Sequence, residues 1–330
     1  MSTRAVALLS GGLDSILAVR TLQQQGIEVE ALNFRTLFTC CQDQASQAAR
    51  RLGITLTALH AEDEYLQRVR RPQFGYGRGA NPCVDCRIYM FQRASEYMRQ
   101  VGASLVVSGE VLGQRPNSQK RRDLRVIEWH SGLQGRLLRP LSAKLLPPTL
   151  PEQEGQVDRE QLHAFSGRSR KGLIALAQRF GFAADEIPSP STGCALTEKT
   201  FAPRVFDLLK MDKKNTPWDF ELLKVGRHLR LTSATKAVIG RRADENQLLE
   251  YLAGRPDSRA AAVLQPANFA GPTVLLVGTV DDLALETAGA LLLRFAKDPP
   301  PGPQVLLRRD GRQSLRPVDH HPAAETAETL

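Results

Sequence analysis

No stretch of the 330-residue chain approaches the roughly 18 consecutive apolar residues that a bilayer helix needs; its longest apolar pieces are runs such as TVLLV and ALLL. A membrane-spanning role is not expected. The opening MSTRAVALLSGG runs straight into glycines instead of a small-residue cleavage site, so no signal peptide is expected and the cytoplasm is the expected compartment. Cysteine is scarce and odd in number, five in all, which favours reduced thiols, a metal site or redox catalysis over structural disulfides. Acidic residues fall short of basic ones, 35 against 44, and the net charge of +9 calls for an anionic partner, nucleic acid first and an anionic small molecule or membrane surface behind it. At 42% hydrophobic and 24% charged, the chain is neither disordered nor a disulfide scaffold, and its length suits two domains.

What is present first is a rhythm. The β-rich runs AVALLS, VEALNF and ITLTAL alternate with helical patterns over 14–25 and 44–52, the βαβαβ order of a doubly wound parallel sheet. A helix over 85–100, with Ile88, Phe91, Ala94 and Met98 on one face, leads into a further buried strand, SLVVSG. Four prolines between Arg139 and Asp158 mark a connecting arm, after which helices are expected over 158–165 and 170–180 and in FAPRVFDLLK. The polar stretch MDKKNTP, 211–217, reads as a linker between an ATP-binding domain at 1–210 and a smaller α/β domain at 218–313. In the latter, HLRLT, KAVIG, AAAVLQ and TVLLVG are strands, and a helix over 281–297 turns Leu283, Leu285, Ala288 and Leu292 inward. Residues 314–330 carry too little apolar content to pack and are expected to be disordered. There is no internal repeat.

The chemistry begins at LLSGGLDSILA, residues 8–18. A strand ending at Leu9 and a helix starting near Asp14 aim helix N-terminal N–H groups into the crevice at the strand's carboxyl end, where anions bind. Gly11 and Gly12 allow consecutive N–H groups to be exposed as a nest, and Ser10 and Ser15 add hydroxyls. A Walker loop would end in Lys-Ser/Thr and a dinucleotide fingerprint would carry a third glycine; this stretch has neither. The plain alternative is a turn with Asp14 as helix N-cap.

SGGLDS after a first strand resembles the PP-loop of the ATP pyrophosphatase superfamily, whose members cleave ATP to AMP and pyrophosphate while adenylating an acceptor. SGEVLGQRPNSQ, residues 108–119, and LLRPLSAK resemble segments of the catalytic domain of the 4-thiouridine synthetase family, which is a PP-loop domain. This resemblance implies an ATP site of Ser10, Gly11, Gly12, Asp14, Ser15, Asn33, Gly109, Glu110 and Gln114, with Mg2+, and a catalytic part for Asp14. A lone Glu110 would otherwise be read as a solvated loop carboxylate. The chain has no room before Ser10 for that family's tRNA-delivering region and shows no rhodanese-like domain, so the second domain is expected to supply the RNA grip.

Cys83 and Cys86 form a C-x-x-C at a helix start, and Cys194 follows a glycine in a loop. Three thiolates can hold a 4Fe-4S cluster with one iron open. Zinc would require a fourth ligand, and His60, His130, His163 and His228 lack motif spacing. Without a metal, one cysteine can carry a persulfide that another resolves. The pattern resembles the three-cysteine, iron-sulfur branch of PP-loop tRNA thiolases, which implies all three as catalytic residues and cluster ligands. Cys40 and Cys41 read as small residues at a strand-helix junction. Arg115, Lys120, Arg121, Arg122, Arg168, Arg170 and Lys171 are candidates to track an RNA backbone, to hold ATP phosphates or to form a solvated face. KAVIGRRADENQLLEYL is similar to the small RNA-binding domain of NFACT proteins. The expectation is ATP-dependent tRNA thiolation, with tRNA and a sulfur donor (sulfide or a cysteine desulfurase persulfide) as partners and a homodimer admitted. The alternatives are a small-molecule sulfur-transfer or amide-forming enzyme and a non-catalytic RNA-binding protein.

Overall fold

The computed structural model describes residues 3–39, 42–61, 63–190 and 194–330, and the chain divides into two compact units, Met1–Thr197 and Glu198–Leu330. Cys40 and Cys41 lie outside the described residues. No described helix is long and apolar enough to cross a membrane.

The first unit runs β1 (Arg4–Leu8), α1 (Leu13–Gln23), β2 (Glu28–Arg35), α2 (Gln42–Leu52), β3 (Leu56–His60), α3 (Asp63–Arg70), α4 (Cys83–Gln100), β4 (Leu105–Ser108), α5 (Arg121–His130), β5 (Leu137–Leu138), α6 (Leu150–Gln153) and α7 (Lys171–Arg179). The sheet is parallel, in the order β3-β2-β1-β4-β5. Alternation along β1 builds two cores: Ala5 and Ala7 pack with Leu17, Ala48 and Leu176 on one face, and Val6 and Leu8 with Phe91 and Ile127 on the other. The strand order reverses between β1 and β4, with Leu8 opposite Ser108, so the loops after both strands open on one crevice, where ligands of doubly wound sheets bind.

The expected helix over 158–165 is not formed. Only a short 3-10 turn, Arg159–Gln161, is present, because the chain then lies extended against the arm: His163 N–H donates to Pro140 O at 2.9 Å and Phe165 N–H to Leu141 O at 2.8 Å.

The second unit contains α8 (Ala202–Met211), α9 (Pro217–Leu222), β6 (Arg227–Arg230), β7 (Thr235–Ile239), α10 (Ala243–Gly254), β8 (Ala260–Pro266), β9 (Val274–Gly278), α11 (Asp282–Phe295), β10 (Gln304–Arg309), β11 (Arg312–Pro317) and α12 (Pro322–Thr326). Its sheet is antiparallel in the order β11-β10-β8-β9-β7-β6, with α11 over one face and α9 and α10 over the other.

Three expectations change here. The stretch 211–217 is not a linker but a turn inside this unit: Asn215 donates to Asp212 O at 2.6 Å, and Asp219 accepts from the Thr216 N–H at 2.7 Å. The units divide instead at Thr197, because α8 is tied to the second one through Asp207, which pairs with Arg230 at 2.5 Å and Lys236 at 3.4 Å. Residues 314–330 are not a free tail: β11 pairs along β10, Thr329 bridges to Leu229, and the buried Val318 and Ala324 join the core beside α11, two small contacts that average composition hides. Leu283 is 54% exposed rather than inward, while Ala288 and Leu292 are buried as expected.

Candidate active site

The loop after β1 begins with constraint. Leu9 N–H donates to Leu32 O, and Asn33 Nδ2 donates to Leu9 O, each at 2.8 Å, so Asn33 pins the strand end before the loop turns. Gly11 then takes φ +80°, and a Cβ there would lie 2.5 Å from the Gln44 carbonyl carbon. Ser15 Oγ donates to Gly12 O at 2.8 Å and lies 3.3 Å from Ser10 Oγ, closing the loop on itself. The N-cap of α1 is Gly12, which has no side chain to cap the first turn. Asp14 is inside the helix, so the reading of an Asp N-cap fails and the N-terminal N–H groups remain available to an anion.

The loop after β4 packs directly on this turn. A Cβ on Gly109 would come within 2.6 Å of the backbone of Asp14 and Ser15, so only glycine allows the two loops to approach this closely. The Gln114 side chain donates to Asp14, and Arg170 and Arg115 lie near enough for their charges to act on it; burial nonetheless holds the Asp14 carboxyl above its ordinary value.

Glu110 is neither a solvated loop carboxylate nor open to the crevice. It is 2% exposed, accepting from Arg139 Nε at 3.1 Å and lying 3.6 Å from Arg87 Nε. Arg139 also reaches Glu128 at 3.2 Å, so Glu110 anchors the end of β4 to α4 and α5 from inside. The sequence carries no signal for this role except the buried arginine partner itself.

The cysteine end is built by α4. Asp85, in its first turn, accepts from the N–H groups of Gln73 at 2.8 Å and Phe74 at 3.0 Å, folding the preceding segment back over the helix start. A Cβ on Gly77 would stand 3.0 Å from Asn117 Cβ and 3.1 Å from Cys83 Sγ, a contact that a small shift of those side chains would have to relieve. Cys86 Sγ lies 3.8 Å from the hydroxyl of Tyr65, on α3, and 4.0 Å from Met90 Sδ. Cys194 enters from the far end of the unit: it bridges to Thr39 beyond β2, while Ala195 N–H donates to Phe38 O at 3.2 Å and Ala80 N–H to Leu196 O at 2.9 Å. Burial, then the charges of Cys86 and Cys194, hold the Tyr65 hydroxyl well above the ordinary tyrosine value. Burial, then the neighbouring Cys86, raises the Cys83 thiol; burial raises Cys86, against the pull of Arg87 and the Tyr65 hydrogen bond.

Among the described residues no three Cys, His, Asp or Glu side chains are gathered so as to hold a metal ion. The expected 4Fe-4S cluster is therefore not supported by the thiols as placed. Of the unmatched histidines, His228 is fully buried in the second unit with Nε2 2.9 Å from Val225 O, and burial drives its pKa well down, so it is a neutral packing group.

Arg115 lies on the loop after β4. Its guanidinium feels Asp14, Cys83 and Glu110, while Arg87 opposite and then burial lower its pKa. The basic residues expected as an RNA track therefore separate. The charges of Arg170 and Arg115 act on Asp14, Arg121 donates to Leu145 O at 2.9 Å, and all of these basic residues except the half-buried Arg170 are exposed.

Residues 3–145 match the family model described as the tRNA methyl transferase HUP domain. Over that stretch the first unit is similar to a PP-loop domain. Residues 226–327 match the NFACT protein RNA binding domain, a stretch that runs past residue 313 into the folded C-terminal segment. The tRNA-specific 2-thiouridylase MnmA of Trichlorobacter lovleyi is 33% identical over 119 residues, 33% of this chain and 33% of that one. The same-named protein of Pseudomonas putida is 25% identical over 243 residues, 68% of this chain and 60% of its own. The match thus spans about a third of the length of the first of these relatives. A solved 4-thiouridine synthetase–RNA complex with bound ATP overlaps 54% of this chain and 50% of its own at 21% identity and a TM-score of 0.35, too slight a likeness to carry an inference.

Proposed function

We propose that the protein is an ATP-dependent tRNA sulfurtransferase, adenylating a uridine carbonyl and replacing its oxygen with sulfur. The observation that supports this reading is the loop after β4, whose Gly109 packs directly on the backbone of Asp14 and Ser15 and which carries Arg115, a guanidinium on which the charges of Asp14 and Cys83 both act. The named relatives are tRNA 2-thiouridylases, which favours a uridine in tRNA as the acceptor.

ATP phosphates lie against the N–H groups of Gly11, Leu13 and Asp14, with the Ser10 hydroxyl, which accepts from the Gly12 N–H, and the Ser15 hydroxyl at the rim. Magnesium, when bound with ATP, offsets phosphate charge, and Asp14 is the carboxylate of the loop that would hold it. The carbonyl oxygen attacks the α-phosphorus and pyrophosphate leaves, converting a poor leaving oxygen into AMP. Arg115, Arg170 and Arg87 offset the charge that develops.

Sulfur then comes from a persulfide on Cys86 or Cys194, loaded when that thiolate takes the outer, sulfane sulfur of a cysteine desulfurase persulfide and releases the donor's thiolate. Its terminal sulfur attacks the activated carbon and AMP leaves. The thiolate of the other cysteine attacks the inner sulfur, releasing the thiolated base and leaving a Cys86–Cys194 disulfide, which an external dithiol reduces. The second unit supplies the RNA grip: β11 is fully exposed and carries Arg312 and Arg316 along a sheet edge. The experiment is thionucleoside profiling of tRNA from a deletion strain, complemented by the wild-type gene. A missing thiouridine restored by the gene supports the reading, and an unchanged profile rejects tRNA as the substrate.

A further inference from the structure

A hollow of about 420 Å³ in the second unit gathers three arginines: Arg204 from α8, Arg227 from the start of β6 and Arg241 from just after β7. Thr200 and Thr329 also line it, and no Asp or Glu is among the described residues of its wall. Each guanidinium is held in place by a neighbour. Arg204 Nη1 donates to Leu223 O at 3.1 Å, Arg227 lies over the Phe295 ring at 4.7 Å from its centroid, and Arg241 Nε donates to both Glu245 carboxylate oxygens at 3.0 Å. Glu245 offsets Arg241, but among the described residues no carboxylate forms an ion pair with Arg204 or Arg227. Burial, and then the charge of Arg241, lower the Arg204 pKa, the mark of cations held close together. Two further cations of the same strands, Arg230 and Lys236, share the single carboxylate of Asp207. Fixed guanidiniums in a concave wall attract an anion, and their planar forks match the oxygens of a phosphate.

We propose that this hollow binds a phosphate group of the RNA, a role that rests on the tRNA reading above and adds a separate contact to it. The strand order β11-β10-β8-β9-β7-β6 puts the hollow at the opposite edge of the sheet from Arg312 and Arg316. Five strand spacings of ~4.8 Å, about 24 Å, separate the two edges, so one phosphate cannot reach both and each edge takes its own. Arg204 precedes residues 226–327, so the hollow is completed by a side chain outside the stretch that matches the RNA-binding family model.

The test is a fluorescence-anisotropy titration of the full-length protein with unmodified tRNA over a series of salt concentrations, without ATP or sulfur donor. Arg227→Gln is expected to weaken binding about tenfold and to reduce the log–log salt slope by about 1. Arg204→Gln should act alike, and it supplies the answer if Arg227→Gln does not fold. Arg242→Gln removes an equal charge beside Arg241, from a side chain that is 70% exposed and outside the hollow, and should stay within about twofold of wild type. Unchanged affinity and slope in both pocket variants overturn the proposal, as does an equal loss in Arg242→Gln, which would report net charge alone. Inorganic phosphate that binds the wild type by calorimetry and not Arg227→Gln, with tRNA affinity the same in both, assigns the hollow to a free anion and also overturns it. The titration is independent of the reaction: tRNA that binds through Arg227 yet gains no sulfur rejects the proposed function and keeps the hollow, whereas thiolation with unchanged tRNA affinity in Arg227→Gln does the reverse.

Discussion

The two ends of the crevice are built by different means. At the phosphate loop the requirement is steric and resides in the backbone: Gly11 and Gly109 each face main-chain atoms at 2.5–2.6 Å where a methyl group would stand. At the cysteine end the requirement is proton affinity, set by side chains. Burial raises Cys83 and Cys86, while Arg87 opposes the rise at both and the Tyr65 hydrogen bond opposes it at Cys86. The first end should fail abruptly on adding one carbon and, once Asp14 is ionised, stay level as pH rises through the thiol range. The second should tolerate small changes of shape and follow pH.

The largest effect expected is from Gly109→Ala. Its Cβ cannot enter without parting the two loops, and an overpacking cost of about 1–3 kcal/mol translates into up to about a hundredfold weaker ATP binding by calorimetry. Gly12→Ala, whose Cβ would meet only Ser10 Oγ at 3.5 Å, is the control that should bind ATP nearly as wild type. Equal losses in both would contradict a steric origin.

Next come the thiols. Cys86→Ser and Cys194→Ser should each reduce tRNA thiolation to background while leaving ATP binding intact, and Cys83→Ser should retain thiolation within several-fold, measured by thionucleoside chromatography. Equal loss in all three would restore the three-ligand cluster over the cysteine pair. The pH profile follows from the same asymmetry. A thiol raised above its ordinary value is mostly protonated at neutral pH, so single-turnover sulfur transfer should climb about tenfold per unit from pH 7 until it levels above the ordinary thiol range, whereas ATP binding stays flat. The smallest effect lies outside the crevice. Arg312→Ala with Arg316→Ala should weaken tRNA binding several-fold and reduce its log–log salt slope by about 2, leaving tRNA-independent steps unchanged.

These two ends also differ in how much of them can be read from residues alone. SGGLDS is legible because its chemistry lies in local backbone geometry, and a strand, two glycines and a helix start are contiguous in sequence. Gly109 is legible only through resemblance, since its reason is a contact with a segment some 95 residues earlier. The three cysteines are visible as residues, but Cys194 reaches the others by a strand-like bridge to Thr39 that no local pattern encodes. Tyr65 had one available signal, the apolar stripe of Tyr65, Leu66 and Val69 in DEYLQRVR, which marks a packed helix and says nothing of the sulfur beside it. Glu110 and the C-terminal strand were misread for a shared reason. Burial through a distant partner, Arg139 in one case and β10 in the other, overrode a polar local composition.

The most direct test of the account is stoichiometry in a purified reaction of the wild-type protein with unmodified tRNA, ATP, magnesium, a persulfide donor and a dithiol. The account predicts one AMP and one pyrophosphate for each thiouridine formed, with thiolation lost in Cys86→Ser and ATP binding kept. Thiouridine formed without ATP, or AMP released on tRNA with no sulfur entering it, would contradict it.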